Sequence, residues 1–277
     1  MEALCYLKRG KMVNQRKYLL FLASILFVTV CAVSFAAAIV PTGANSSSFI
    51  KTGTSPNQAP DSRTAYAGNV SEILVNGLTT TQTWQGFYGN VTGTVELADS
   101  NHNVMYNWSL ASPGGEIYAS TNSSISWPYV QCFNFTSNGT YADDTANAGA
   151  TSQFGANLSI IQTRFNINIS DVDGVNRTFA RIGAGGHTQF YTANQQFSAG
   201  ECSSTRVYDN TGAGVAGKFE EALLYEPTST SLIFATLLNT DANGFDSQTH
   251  DFEMLVLEDG HGTNTASTTY FFFVELQ

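Results

Sequence analysis

The stretch Asn239-Thr240-Asp241-Ala242-Asn243-Gly244 sets oxygen-bearing side chains at alternate positions and ends on a glycine. That is the first half of an oxygen-ligand calcium loop, in which alternate side chains point inward and glycine permits the sharp turn. An EF-hand would next need Glu at the twelfth position, where this chain has His250. A standard EF-hand is therefore excluded. Asn239, Asp241, Asn243, Asp246 and Asp251 remain as candidate calcium ligands between two strands. The competing reading is an Asn/Asp/Gly turn that binds nothing. Asp171-Val172-Asp173-Gly174 is a shorter fragment of the same kind.

Other chemistry is thinner. The histidines are His102, His187, His250 and His261, and none lies in an HExxH helix pattern. In a strand, His250 and Asp251 would point to opposite faces. Nucleophile-elbow, Walker and dinucleotide signatures are absent from the sequence. The chain reads as a non-enzyme that requires no cofactor, with calcium as the one ion its sequence suggests. A secreted hydrolase stays open, because carboxylates are plentiful but sequence cannot pair them in space. Trp84, Tyr88 and Trp108 belong to the aromatic-rich stretch that ends at Trp127. Exposed, they would stack on sugars as in a lectin-like module. Buried, they are core.

The elements that must position these residues are short strands. Glu72–Leu78, Trp84–Tyr88, Thr92–Ala98, Val104–Leu110, Glu116–Ala119 and Ile125–Phe133 are apolar, aromatic or β-branched runs between turn residues. Thr94-Val95-Glu96-Leu97 alternates as a half-buried strand should. Leu158–Ile169 also alternates, with Ile161, Thr163, Phe165, Ile167 and Ile169 on one face and Gln162, Arg164, Asn166 and Asn168 on the other. Phe219–Tyr225, Leu232–Leu238, Phe252–Leu257 and Thr269–Leu276 are the strongest runs, although the first would also suit a short helix. Residues 142–150 and 183–217 read as long loops. The expectation is an all-β fold, a β-sandwich or jelly roll of about twelve short strands. The terminal run Tyr270–Gln277 reads as a core strand, or alternatively as a strand donated to a neighbouring subunit.

Ahead of this body, Lys8, Arg9, Lys11, Arg16 and Lys17 precede an apolar run, Tyr18–Val40. The run suits either a signal peptide ending at Ala36-Ala37-Ala38 or a retained helical anchor. Both readings export the rest of the chain, so membrane contact is expected only through residues 18–40, and only if they are not cleaved. Residues 1–40 thus form the leader, 41–68 a Ser/Thr/Pro-rich stalk, and 69–277 the β-rich body. Pro41, Pro56 and Pro60 argue against pairing in the stalk.

After Ala38 the chain has 7 Lys+Arg against 21 Asp+Glu, a net of −14. Such a surface repels nucleic acid and attracts cations. Cys132 and Cys202 are the cysteines outside the leader, and an oxidising compartment would join them. Buried free thiols are the other reading. Ten Asn-x-Ser/Thr sequons begin at Asn45, Asn69, Asn90, Asn107, Asn122, Asn134, Asn138, Asn157, Asn168 and Asn176. Residues 179–277 contain none and carry 3 basic against 12 acidic side chains. The body therefore divides by composition into a sequon-rich part, 69–178, and an acidic part, 179–277.

Leader, stalk, sequons, acidic surface and β-rich body together resemble exported cell-surface glycoproteins of archaea, including S-layer-associated and filament-forming proteins. The resemblance implies an extracellular, structural or adhesive role, with self-assembly or other surface proteins as partners. Contact through residues 179–277 bridged by divalent cations is the expected mode, the competing reading being an acidic face adapted to salt or merely soluble. A carbohydrate-binding module is the first alternative.

Overall fold

The computed structural model describes residues 40–56, 59–110, 114–133, 158–168, 170–258 and 267–276. The leader through residue 39, Asn134, Asn138, Asn157, Ile169, His261 and the expected loop at 142–150 lie outside the described residues.

The fold is all-β and antiparallel. Its main sheet joins β1 (Thr42–Gly43), β15 (Phe271–Leu276), β5 (Gly115–Ser120), β11 (Ser231–Leu237), β10 (Glu220–Glu226) and β6 (Gln131–Cys132) in that order, with β9 (Ser204–Arg206) also on β10. β10 and β11 are buried along their whole length. Near-continuous apolar runs are what a strand covered on both faces requires.

The two faces carry separate cores. One packs Ile117, Ala119, Leu223, Tyr225, Leu232 and Phe234 under β14 (Phe252–Leu257), which pairs with β2 (Trp84–Gly89). The Thr236 hydroxyl fastens the layers by donating to the Glu253 carbonyl at 2.8 Å. The opposite face packs Tyr118, Ala222, Leu224, Ile233 and Phe273 against Trp127, Phe190 and Phe197. There the Cys132–Cys202 disulfide ties β6 to the loop before β9. In the chain-entropy model, closing a loop of this length contributes roughly 4 kcal/mol. The sequon-rich and acidic parts share this sheet, since β5 and β6 come from one and β9, β10, β11 and β15 from the other.

Several expectations are corrected. Leu158–Arg164 is a helix rather than a strand. Leu158, Ile161 and Gln162 in it and Phe165 just past its end are buried, so Gln162, assigned to water, lies inside. Ile161 and Phe165, four apart, satisfy helical spacing as well as alternation, Leu158 fits the helical spacing alone, and packing against Val175 and Phe179 selects the helix. Asn166 at φ 51° then ends it in the left-handed region that Asn tolerates. Residues 72–78 form no strand, and Leu74 is 88% exposed there. An apolar run becomes a strand only beside a partner edge.

The loop expected at 183–217 contains β7 (Phe190–Thr192), β8 (Gln195–Phe197) and β9. Pro41 does not prevent pairing: Thr42 and Gly43 pair with Val274 and Phe273 immediately after it, at the sheet edge where proline is tolerated. Of the run Phe219–Tyr225, Glu220 onward is strand, not helix, and the terminal run pairs within its own sheet, between β1 and β5.

Candidate functional site

β3 (Thr94–Ala98) and β4 (Val104–Ser109) form a hairpin whose strands pair only with each other among the described residues. Register sets Val95 opposite Trp108 and Leu97 opposite Tyr106. Period two then gathers these four on one face, with Thr94, Glu96, Asn107 and Ser109 on the other. The sequence alternation is real, yet the expected half-burial is not: both strands are exposed throughout. On the apolar face Tyr106 and Trp108 are 60% and 51% exposed, with ring centroids 4.9 Å apart at 61°.

The hairpin is held locally at its tip and base. The Asp99 carboxylate accepts from the Asn101 and Asn103 amides at 2.8 and 2.9 Å and from Asn103 Nδ2 at 2.8 Å. The side-chain and backbone bonds from Asn103 lead in lowering its pKa. At the base, a Cβ on Gly93 would stand 2.1 Å from Leu276 Cδ1, so glycine admits the end of β15 against the ribbon.

A second region has the opposite character. Glu116 on β5 and Glu275 on β15 are direct cross-strand partners, each 4% exposed. Directly opposed side chains in a sheet have Cβ atoms about 5 Å apart. Glu275 Oε2 accepts from Tyr118 Oη at 3.3 Å and from the Ala193 amide at 2.9 Å. Glu116 Oε2 has no hydrogen-bond partner. Burial first, and the Glu275 charge second, push the Glu116 carboxyl up to about 8. Beside it lies a cleft of about 200 Å3 whose walls include Glu116, Thr188, Glu220 and Asn239. Glu220 is neutralised by Arg206 Nε at 3.0 Å.

The calcium candidates lie around the β12 (Ala242–Asn243)–β13 (Thr249–His250) hairpin, but the oxygens of Asn239, Asp246 and Asp251 are taken up by hydrogen bonds within the protein. Asn239 Oδ1 accepts from the Phe219 amide at 2.7 Å. Asp251 accepts from the Asp241 amide at 3.1 Å and the Val91 amide at 2.8 Å. Asp246 Oδ1 meets His250 Nε2 and the Gln248 amide, both at 2.9 Å. Asp241 and Asn243 face solvent. Among the described residues, no three His, Cys, Asp or Glu side chains gather as a metal would require. Gly244 is needed here because a Cβ would stand 2.3 Å from Glu253 Oε1.

The aromatic candidates divide. Trp84 packs in the core against Phe179 and Phe234, with its indole N–H donating to the Asp173 carbonyl at 2.6 Å. Tyr88 stands edge-on to Phe245 at 5.1 Å, and Trp108 is on the open ribbon face. Among the sequons, Asn45, Asn69, Asn90, Asn107 and Asn168 are exposed, whereas Asn122 and Asn176 are half-buried. Asn122 Nδ2 donates to Ser231 Oγ at 2.9 Å, and a glycan on that nitrogen would compete with this bond.

Sequence reasoning missed the Glu116–Glu275 pair. The available signal was phase: Phe271, Phe273 and Glu275 alternate on one side of a strand whose other residues are apolar. No family model, curated protein or solved structure matches the chain.

Proposed function

We propose that the chain is an exported structural or adhesive cell-surface glycoprotein, and that its body associates with a second copy through the apolar face of the β3–β4 ribbon. One observation carries the reading: a two-stranded element with a tight hairpin turn presents Val95, Leu97, Tyr106 and Trp108 to solvent on a single face. Covering that face and the free strand edges removes apolar area from water, at roughly 25 cal/mol per Å2. Its polar face carries the Asn107 sequon, so a glycan there would leave the apolar face open.

The smaller β2–β14 layer over the main sheet supports a sandwich-like body. Solvent-facing Asp241 and Asp246 are the groups through which divalent cations would add a bridge between copies. A carbohydrate platform is less favoured, because rings tilted by 61° do not present one flat surface to a sugar.

Light scattering of the full chain across concentration and calcium tests this reading. The native chain should form dimers or larger particles, while Tyr106→Ser with Trp108→Ser should remain monomeric with an unchanged melting temperature. A native chain that stays monomeric throughout would refute it, and saccharide binding lost in the double variant would favour the lectin alternative.

A further inference from the structure

We propose that this fold is built for acid: Glu116, Glu221 and Glu275 are enclosed without a cation and are held as neutral carboxyl groups, so that the body is most stable at mildly acidic pH. This goes beyond the proposed function, naming the surroundings in which the domain works, and does not depend on the ribbon.

The geometry is consistent across the three side chains, which are 0–4% exposed. The ion pairs among the described residues are Arg63–Asp61, Arg206–Glu220, Lys218–Asp209 and His250–Asp246, and none includes any of the three. Glu116 Oε2 and Glu221 Oε1 are buried with no hydrogen-bond partner. Burying a carboxylate without a partner is far costlier than burying the neutral acid.

Each site has its own surroundings. Glu116 faces Glu275 across the strands, with Tyr118 beside both and Glu220, itself held by Arg206, across the cleft. Glu221 accepts from the Leu255 amide at 2.9 Å and lies in electrostatic reach of Tyr270, which also feels Glu258.

Burial raises all three above the ordinary glutamate value of 4.5, Glu116 to about 8, with Glu221 well above and Glu275 raised. The folded state therefore binds more protons than the unfolded state above 4.5, and stability falls as pH rises from there through the folded values.

Opposing groups bound the range. His187 accepts the Cys202 amide on Nε2 at 2.9 Å, and burial lowers its pKa, so it withdraws stability as pH falls below 6.5. It is one imidazole against three carboxyls. Asp209 and Asp246 are lowered by hydrogen bonds led by those from Thr211 and the Gln248 amide respectively. Glu226, against its burial, is lowered by Ser229 and Thr228. Together with Asp99, these acids withdraw stability as pH falls below their ordinary values of 3.8 to 4.5 and through the folded ones.

Composition agrees independently. In acid the carboxylates discharge, and self-repulsion then depends on the basic residues, of which the chain after Ala38 has 7 Lys+Arg.

Thermal melting of the full chain across pH is the test. The melting temperature should peak near about pH 5 and fall by about 5 °C or more toward about pH 8.5. Roughly 1 M salt should leave that fall in place, because salt screens exposed charge far better than buried charge. Glu116→Gln and Glu221→Gln, which mimic the neutral acid, should raise the melting temperature at alkaline pH and flatten the profile. If either variant does not fold, proton uptake on refolding the native chain near about pH 6.5 supplies the same readout. A flat or rising profile, a fall abolished by salt, or refolding without proton uptake would overturn the proposal.

Discussion

The β3–β4 ribbon and the main sheet divide polar and apolar residues in opposite ways. The ribbon leaves Val95, Leu97, Tyr106 and Trp108 in water, while the sheet encloses Glu116, Glu221 and Glu275. Both obey the same period-two rule, so side-chain alternation alone distinguishes nothing. The difference comes from what lies over each face. β14, the helix Leu158–Arg164 and the β7–β8 hairpin cover the main sheet, and glutamates in its strands are carried inside with their neighbours. Among the described residues, no second layer lies over the ribbon's apolar face. On the readings proposed above, the apolar residues outside serve association and the uncompensated acids inside impose a dependence on protons.

Four experiments would break or sharpen this contrast, and the largest effect belongs to the sheet. Phe234→Ala removes a ring at the junction of Trp84, Phe179 and Tyr270, and should cost about 3–5 kcal/mol in denaturant unfolding. A loss under about 1 kcal/mol would mean that this sheet is no core. Next, reducing Cys132–Cys202 should lower stability by about 2–5 kcal/mol, with a matching fall in the denaturant midpoint. Thiol labelling of the unfolded, unreduced chain should find neither sulfur free. Thr236→Val then deletes the hydroxyl bond between layers at almost constant volume, and should cost about 1 kcal/mol. Smallest is Trp108→Ser on the ribbon: stability should stay within about 0.5 kcal/mol while association weakens. A large loss of stability there would show that the ribbon face is covered within its own chain, and the contrast would collapse.

The strongest strands were legible because their runs are long. Leu223–Tyr225 and Leu232–Leu237 have too few polar positions for any surface strand. Residues 158–165 were not, because Ile161 and Phe165 fit both periods and seven helical residues are too few to separate them. The calcium reading of 239–251 shows a different limit. Spacing can propose that oxygens converge, but the Phe219 and Val91 amides that take up Asn239 and Asp251 come from distant parts of the chain.

By itself the sequence determined the strand-rich class, the pair of cysteines available for bonding, the positions of the sequons and the shortage of basic residues. These follow from composition and local pattern, which do not depend on how the chain closes. Only the tertiary structure decided that Glu116 meets Glu275, that Thr42 and Gly43 extend the sheet, that residues 72–78 stay unpaired and that the ribbon's alternation faces water. Each depends on which strands become neighbours, a non-local choice made by the total burial of the chain rather than by the residues on either side.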